Sequence, residues 1–322
     1  MPKEPSDLRG GFMQGCFNLR ASRLIACPVL LVLLCAACSL AQTGSQPQTI
    51  TLLSTRLANN LYLIHPPLNS EDGNVVVLCV ASGILLSDTG LSRAVPELQA
   101  VLRGLPCPNR RVKYVINTHW HLDHAGGNRA FATDGAVIIS QDETRRIMSS
   151  SQELLGSTIG AYPEIARPTI TFSDRLTLHL DETEVSAEHY PNGHTGGDVV
   201  VRFGGTNILH IGDIYYGAVF PWVDADHGGS ISGLRKSVER LLRQPDSTVF
   251  VPGHGDPVTK AELGTMARMI DQSFQAVSQG ISQGLSLQQI QQKGLPNEWK
   301  LWAWEGMSTS AWVETVYREI MH

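Results

Sequence analysis

The chain of 322 residues reads as a layered α/β protein, and three observations predict it. Short apolar runs that suit strands alternate with segments of helical spacing through much of its length. Hydrophobic residues make up 42% and charged residues 17%, the balance of a globular protein with a sizeable core. Several apolar runs end in glycine or a polar turn followed by His or Asp, so potential metal ligands recur at strand ends.

The first forty or so residues differ from the rest. Arg20 and Arg23 precede an apolar stretch from Leu24 to Ala37, and small residues follow, which is the outline of a secretory signal peptide. The stretch falls short of the roughly twenty apolar residues that span a bilayer. Two exits are visible: cleavage after Ser39-Leu40-Ala41, before Gln42, or a lipoprotein-like box, Leu34-Cys35-Ala36-Ala37-Cys38, with Cys38 as the lipidated residue. The expected organisation is a signal peptide over 1–41, a linker over 42–49 and one domain over 50–322. The expected location is periplasmic or secreted, with membrane contact only through a lipid anchor. Four of the six cysteines lie in the leader, leaving Cys79 in an apolar run and Cys107 in a Pro-Cys-Pro turn. Packing is the reading for Cys79; a single bridge to Cys107 is open in an oxidising compartment.

From Ile50 the pattern is strand-like through Ala58, Leu61–Ile64, Val75–Ala81 and Gly83–Asp88, an antiparallel start to a sheet. Leu91 to Leu105 carries helical spacing at Val95, Leu98, Val101 and Leu102. Strands follow at Val112–Asn117 and Gly135–Ser140, with a helix from Gln141 to Leu155. Strand character returns at Thr169–Phe172, Arg175–Leu180, Val185–Tyr190, Val199–Phe203, Ile208–Ile211 and Thr248–Val251, the last after a helix from Ser230 to Arg243. Glu262 to Lys293 is helical in period, and Trp299, Trp302, Trp304 and Trp312 in the tail read as packing.

The most informative stretch is Thr118-His119-Trp120-His121-Leu122-Asp123-His124-Ala125-Gly126-Gly127-Asn128. Residues two apart in extended backbone face one side, so His119 and His121 can converge on one ion, with Asp123 continuing along that side and His124 turned elsewhere. One ion could take His119 and His121 while a second took Asp123 and His124. Further ligand-type residues stand in Asn192-Gly193-His194-Thr195-Gly196-Gly197, Ile211-Gly212-Asp213 and Pro252-Gly253-His254-Gly255. Imidazole and carboxylate donors without cysteine suit catalytic Zn²⁺, with Fe or Mn as alternatives.

His-x-His-x-Asp-His, with these later strand ends, resembles the signature of the metallo-β-lactamase superfamily over nearly all of the mature chain. The resemblance implies a four-layer αββα sandwich with the site at one edge. It implies His119, His121 and His194 as ligands of a first metal, Asp123, His124 and His254 as ligands of a second, and Asp213 as the carboxylate bridging both. Two zinc ions would activate a hydroxide against an ester, lactone, thioester or amide carbonyl. Asp123 would orient the nucleophile or carry its proton. Dedicated zinc β-lactamases of the family generally have Cys or Ser where Asp213 stands, so β-lactam hydrolysis is expected only as a weak side activity. The runner-up is an iron-dependent persulfide dioxygenase on the same fold. The expected partner is a small-molecule substrate. Nucleic acid is excluded by the net charge of −5 and the lack of a Lys/Arg cluster.

Outside that set, His210 reads as packed and His189 as similar, whereas His227 sits on a polar loop from which it could face substrate. Tyr215, Tyr216 and Trp222 read equally as pocket lining and as packing.

Overall fold

The elements are ordered by one constraint: the central strands are apolar on both faces, so both faces must be covered. The computed structural model describes residues 51–67, 71–215 and 217–322. The expected signal peptide and linker lie outside the described residues. Thr49–His322 forms one compact unit, and no described helix is long and apolar enough to cross a membrane.

Strands β1 (Leu53–Ala58), β2 (Leu61–His65), β3 (Val75–Val80) and β4 (Gly83–Ser87) form an antiparallel meander. The chain then passes through helix α1 (Val95–Gly104) to β5 (Val112–Ile116), which pairs with β4 in parallel. Short helices α2 (Leu122–Ala125) and α3 (Asn128–Thr133) lead to β6 (Val137–Gln141), parallel to β5, and α4 (Asp142–Met148) follows. A small hairpin of β7 (Gln152–Leu154) and β8 (Ser157–Ile159) precedes β9 (Ile170–Phe172), which completes a seven-stranded sheet beside β6. A second sheet takes β10 (Arg175–Leu180), β11 (Thr183–His189), β12 (Val199–Phe203), β13 (Ile208–His210) and β14 (Val249–Val251) in that order. All its pairings are antiparallel except β13 with β14. Helices α5 (Ile231–Leu242), α6 (Lys260–Ser282), α7 (Leu287–Lys293) and α8 (Thr309–Met321) account for the rest.

The alternation along β2 shows how the layers arise. Leu61 and Leu63 point into an inner core shared with Leu180, Val201, Phe203 and Val251 of the second sheet. Tyr62 and Ile64 point outward and are covered by Leu98 and Leu102 of α1 and Phe131 of α3. The outer face of the second sheet, including Val200, Leu209 and Phe250, is covered by Leu234, Val238, Met266, Ile270 and Trp312 of α5, α6 and α8. The result is the expected αββα order of layers. Strand β3, with all six residues buried, reads as the continuous apolar run that two-sided burial requires. Helix α6 starts at a capping box in which Thr259 and Glu262 satisfy each other's backbone.

Three expectations change in detail. The helix predicted over Gln141–Leu155 ends at Met148, where Ser149, Ser150 and Ser151 follow. Such residues favour local side-chain bonding over helix, and the Ser149 hydroxyl donates to the Arg145 carbonyl at 2.7 Å. Beyond them the chain reverses at Leu155 and Gly156, whose φ of 50° and 76° make a tight hairpin turn. The helical stretch over Glu262–Lys293 is two helices, parted near Gly284 at φ 73°. Cys79 and Cys107 are joined as a disulfide with Cα atoms 5.1 Å apart, pinning the connection after α1 to β3.

The inner core carries most of the apolar burial that holds the two sheets face to face. Phe203 is fully buried there, so Phe203→Ala should lower the unfolding free energy by about 3–5 kcal/mol, measured by denaturant titration.

Candidate metal centre

Because β4, β5 and β6 run parallel, the segments that leave their C-terminal ends emerge on one edge. The same edge receives the ends of β13 and β14, also parallel. Backbone bonds knit these exits together: Gly253 N–H donates to the Gly212 carbonyl at 2.7 Å, Asn74 N–H to Gly253 at 2.7 Å, and Val199 N–H to Thr118 at 2.8 Å. Ligand-type side chains far apart in sequence are therefore delivered to one place.

All seven expected site residues meet there, in two adjacent groups. His119, His121 and His194 form one; Asp123, His124, Asp213 and His254 form the other, and within each group the donor atoms lie within 4.8 Å of one another. Asp213 stands between them. Its Oδ2 is 3.6 Å from His194 Nε2 and 3.9 Å from His119 Nε2, while its Oδ1 is 3.2 Å from His124 Nε2. His254 Nε2 closes the second group, 3.0 Å from Asp123 Oδ2 and 3.7 Å from Asp213 Oδ2.

The path of the motif differs from extended backbone throughout. His121 is extended, at φ −61° and ψ 152°, but it caps α2, whose first turn carries Asp123 and His124. That turn brings Asp123 and His124 to the same group, with His124 Nε2 3.3 Å from Asp123 Oδ2. Asp123 thus leaves the side of His119 and His121, contrary to the extended-segment expectation.

The back of four imidazoles is tied to an oxygen that accepts. Thr118 gives its hydroxyl proton to Asp88 at 2.7 Å, so it accepts from His119 Nδ1 at 3.0 Å. His124 Nδ1 donates to Asp88 at 2.9 Å, His121 Nε2 to Asp224 at 3.0 Å, and His194 Nδ1 to the Trp222 carbonyl at 3.1 Å. Each ring therefore turns its other nitrogen inward: Nε2 of His119, His124 and His194, and Nδ1 of His121. Such outer partners fix tautomer and orientation in metal sites. Two inward atoms, His119 Nε2 and Asp213 Oδ1, are buried without a hydrogen-bond partner. Buried polar atoms are ordinarily paired, so lone pairs converging in this way fit a cation.

Electrostatics divide the two groups. Burial pushes His119 well below the ordinary imidazole range and His194 down to about 4, leaving both neutral donors at physiological pH. Burial would lower His124 too, but the carboxylates of Asp213, Asp123 and Asp88 outweigh it and raise it well above that range. Burial likewise pushes Asp123 and Asp213 up, and the charge of His124 overrides it in both, holding them well below the usual carboxylate range. The second group is a concentration of negative charge that needs positive charge beside it.

Glycines allow the close approach. A Cβ on Gly253 would lie 1.9 Å from Asp213 Oδ1, and one on Gly73 would lie 2.7 Å from the Asp123 carbonyl. At α5, a Cβ on Gly233 would meet the Asn192 carbonyl at 1.7 Å, so only glycine lets that helix brace the loop that carries His194. Asp198 holds the same loop, accepting from His194 N–H at 2.6 Å and from Thr195 N–H at 3.0 Å.

Sequence reasoning missed two carboxylates. Asp88 is fully buried at a positive φ of 68°, and the available signal was an Asp-Thr-Gly directly after an apolar strand. Asp224 sits under His121, and its signal was Asp-Ala-Asp-His, in which Asp224 and His227 are three apart. His227 does not face substrate: it is buried, with Nδ1 2.7 Å from Asp224. His210 is buried against the Ser87 hydroxyl at 2.7 Å, and His189 donates to the Gly196 carbonyl at 2.9 Å. Trp222 stands beside the first group, its ring 5.3 Å from that of His121, whereas Tyr215 packs in the helix-covered core. Tyr216 lies outside the described residues.

The sequence model of the metallo-beta-lactamase superfamily matches residues 69–254. A hydroxyacylglutathione hydrolase of Pelagibacter ubique is 27% identical over 164 residues, 49% of this chain and 58% of that one. The acyl-coenzyme A thioesterase MBLAC2 of Homo sapiens is 25% identical over 212 residues, 57% of this chain and 74% of its own length. Among solved structures, a metallo-beta-lactamase from Pontibacter korlensis superposes with a TM-score of 0.56 at 20% identity, covering 69% of this chain and 99% of that one.

A methyl group at position 253 cannot coexist with Asp213 where it stands. Gly253→Ala should fold yet bind less than half the metal of the unmodified protein, read by elemental analysis alongside a thermal melt.

Proposed function

The chain belongs to the metallo-β-lactamase superfamily, and on that premise we propose that this metal-dependent hydrolase carries two zinc ions and cleaves an ester, lactone, thioester or amide. The observation that carries the reading is the pair of adjacent donor groups whose imidazole nitrogens converge on one carboxylate, Asp213. When bound, two such ions would lower the pKa of a coordinated water toward neutrality and polarise a carbonyl.

The chain's own residues supply the rest. His119, His121 and His194 would hold the first ion, Asp123, His124 and His254 the second, with Asp213 between them. Asp123 is about a quarter exposed, in contrast to the nearly buried Asp213. It is therefore the carboxylate placed to orient an incoming water and to pass its proton to the leaving group. Trp222 forms an apolar wall beside His121 and His194, which favours a substrate with apolar surface next to its scissile bond.

A thioester is the favoured substrate class, supported by the names of the Pelagibacter and human relatives. Glutathione itself is disfavoured, because Gly294–His322 offers only Lys300 and Arg318 as basic residues to hold its carboxylates. Weak β-lactam hydrolysis is an expected side activity. The leader and the Cys79–Cys107 disulfide support an exported protein, periplasmic or secreted, released before Gln42 or anchored through Cys38.

Elemental analysis with a screen of a thioester, a lactone and nitrocefin tests this. Two zinc ions per chain and hydrolysis of the thioester or lactone are expected. His121→Ala and Asp213→Ala should each lose metal and reduce turnover about a thousandfold or more, the equivalent of several kcal/mol of barrier. Iron as the bound metal, with oxygen uptake on adding a persulfide and no hydrolysis, would favour the dioxygenase instead.

A further inference from the structure

Behind His121 lies a run of buried polar contacts that ends on the small hairpin β7–β8. His121 Nε2 donates to Asp224 Oδ2 at 3.0 Å. Asp224 in turn faces His227 Nδ1 at 2.7 Å through Oδ1 and at 2.8 Å through Oδ2. His227 Nε2 faces the side-chain oxygen of Gln152, the first residue of β7, at 3.1 Å. The His227 ring rests on the fully buried Trp120, centroids 4.7 Å apart, and Trp120 rests equally closely on His121.

The Gln152 amide fixes the direction of these bonds. Its nitrogen donates to the Ile147 carbonyl at 2.8 Å and to the Ser150 carbonyl at 3.2 Å. Carbonyls only accept, so turning the amide over would oppose oxygen to oxygen, and the oxygen must be the atom that meets His227. An amide oxygen only accepts as well. His227 Nε2 therefore donates to Gln152, while its Nδ1 lies against the Asp224 carboxylate. A carboxylate oxygen accepts, so His121 donates to Asp224 from Nε2 and turns its Nδ1 toward the first donor group.

We propose that Gln152 and His227 are positioning residues for the first metal ion, acting through Asp224 on His121, so that the β7–β8 hairpin sets metal affinity at that site alone. The inference rests on the two-metal reading above. The second donor group is oriented separately, through Asp88 behind His124.

Zinc binding to each site is measured by competition with a chromophoric chelator, with thermal melts in parallel. His227→Phe keeps a ring over Trp120 and removes both ring nitrogens. Gln152→Leu keeps the hairpin and removes the fixed acceptor. The expected result is a 10–100-fold loss of affinity at one of the two sites for His227→Phe and about tenfold for Gln152→Leu, with the other site unchanged. Leu155→Asp, at the exposed turn of the hairpin, should match the unmodified protein. Nitrogen-15 resonances of His227 should report a proton on Nε2. Equal two-site affinity in both main variants with unaltered melting, or a bare Nε2 on His227, would overturn the proposal. Failure of the unmodified protein to bind two ions would instead overturn the dinuclear reading.

Discussion

Asp88 is the constraint on which the centre depends. Its carboxylate accepts from Thr118 N–H at 2.7 Å, from the Thr118 hydroxyl at 2.7 Å and from His124 Nδ1 at 2.9 Å. Through Thr118 it turns the His119 ring; through His124 it turns the other group. One buried anion thus sets the orientation of a donor in each half of the site. An unpaired carboxylate at this depth would be strongly unfavourable, and each of its bonds also orients the machinery. The residue reaches its place at a positive φ, where Asp is among the few side chains tolerated and where β4 has just ended.

The same logic of tethered rings runs around the rest of the centre. His121 is backed by Asp224 and His194 by a carbonyl, so an imidazole that could rotate is held with one nitrogen inward. Small residues make room for the approach, since Gly73 and Gly253 pass the backbone within contact distance of the ligand side chains. Site and sandwich are consequently one construction: the glycine-rich exits of the strands are also the walls of the centre.

Much of this was legible from residue order. His119, His121, Asp123 and His124 within six positions after an apolar strand point to a metal on composition alone, and His194, Asp213 and His254 stand at later strand ends. The alternation of strand and helix also foretold a layered α/β structure. What stayed hidden depends on partners remote in the chain. Nothing near His227 shows that its nitrogens would meet Asp224 and Gln152 rather than a ligand, because Gln152 is 75 residues away. The hairpin β7–β8 is a pair of three-residue strands, too short to build a period, and its turn is marked only by Leu-Gly. The disulfide joins residues 28 apart, a separation from which proximity cannot be read.

Asn74 ties the start of β3 in one sheet to the loop that follows β14 in the other, through its side-chain amide to the carbonyls of Pro252 at 2.9 Å and Gly255 at 2.8 Å. That rivet crosses the sandwich at the catalytic rim. Shear between the sheets would have to tear it, and with it the seat of His254, so breathing of the whole sandwich is closed off as a route for admitting substrates of different girth. Accommodation falls instead to what lies outboard of the rivet, the stretch around Trp222 beside the first donor group.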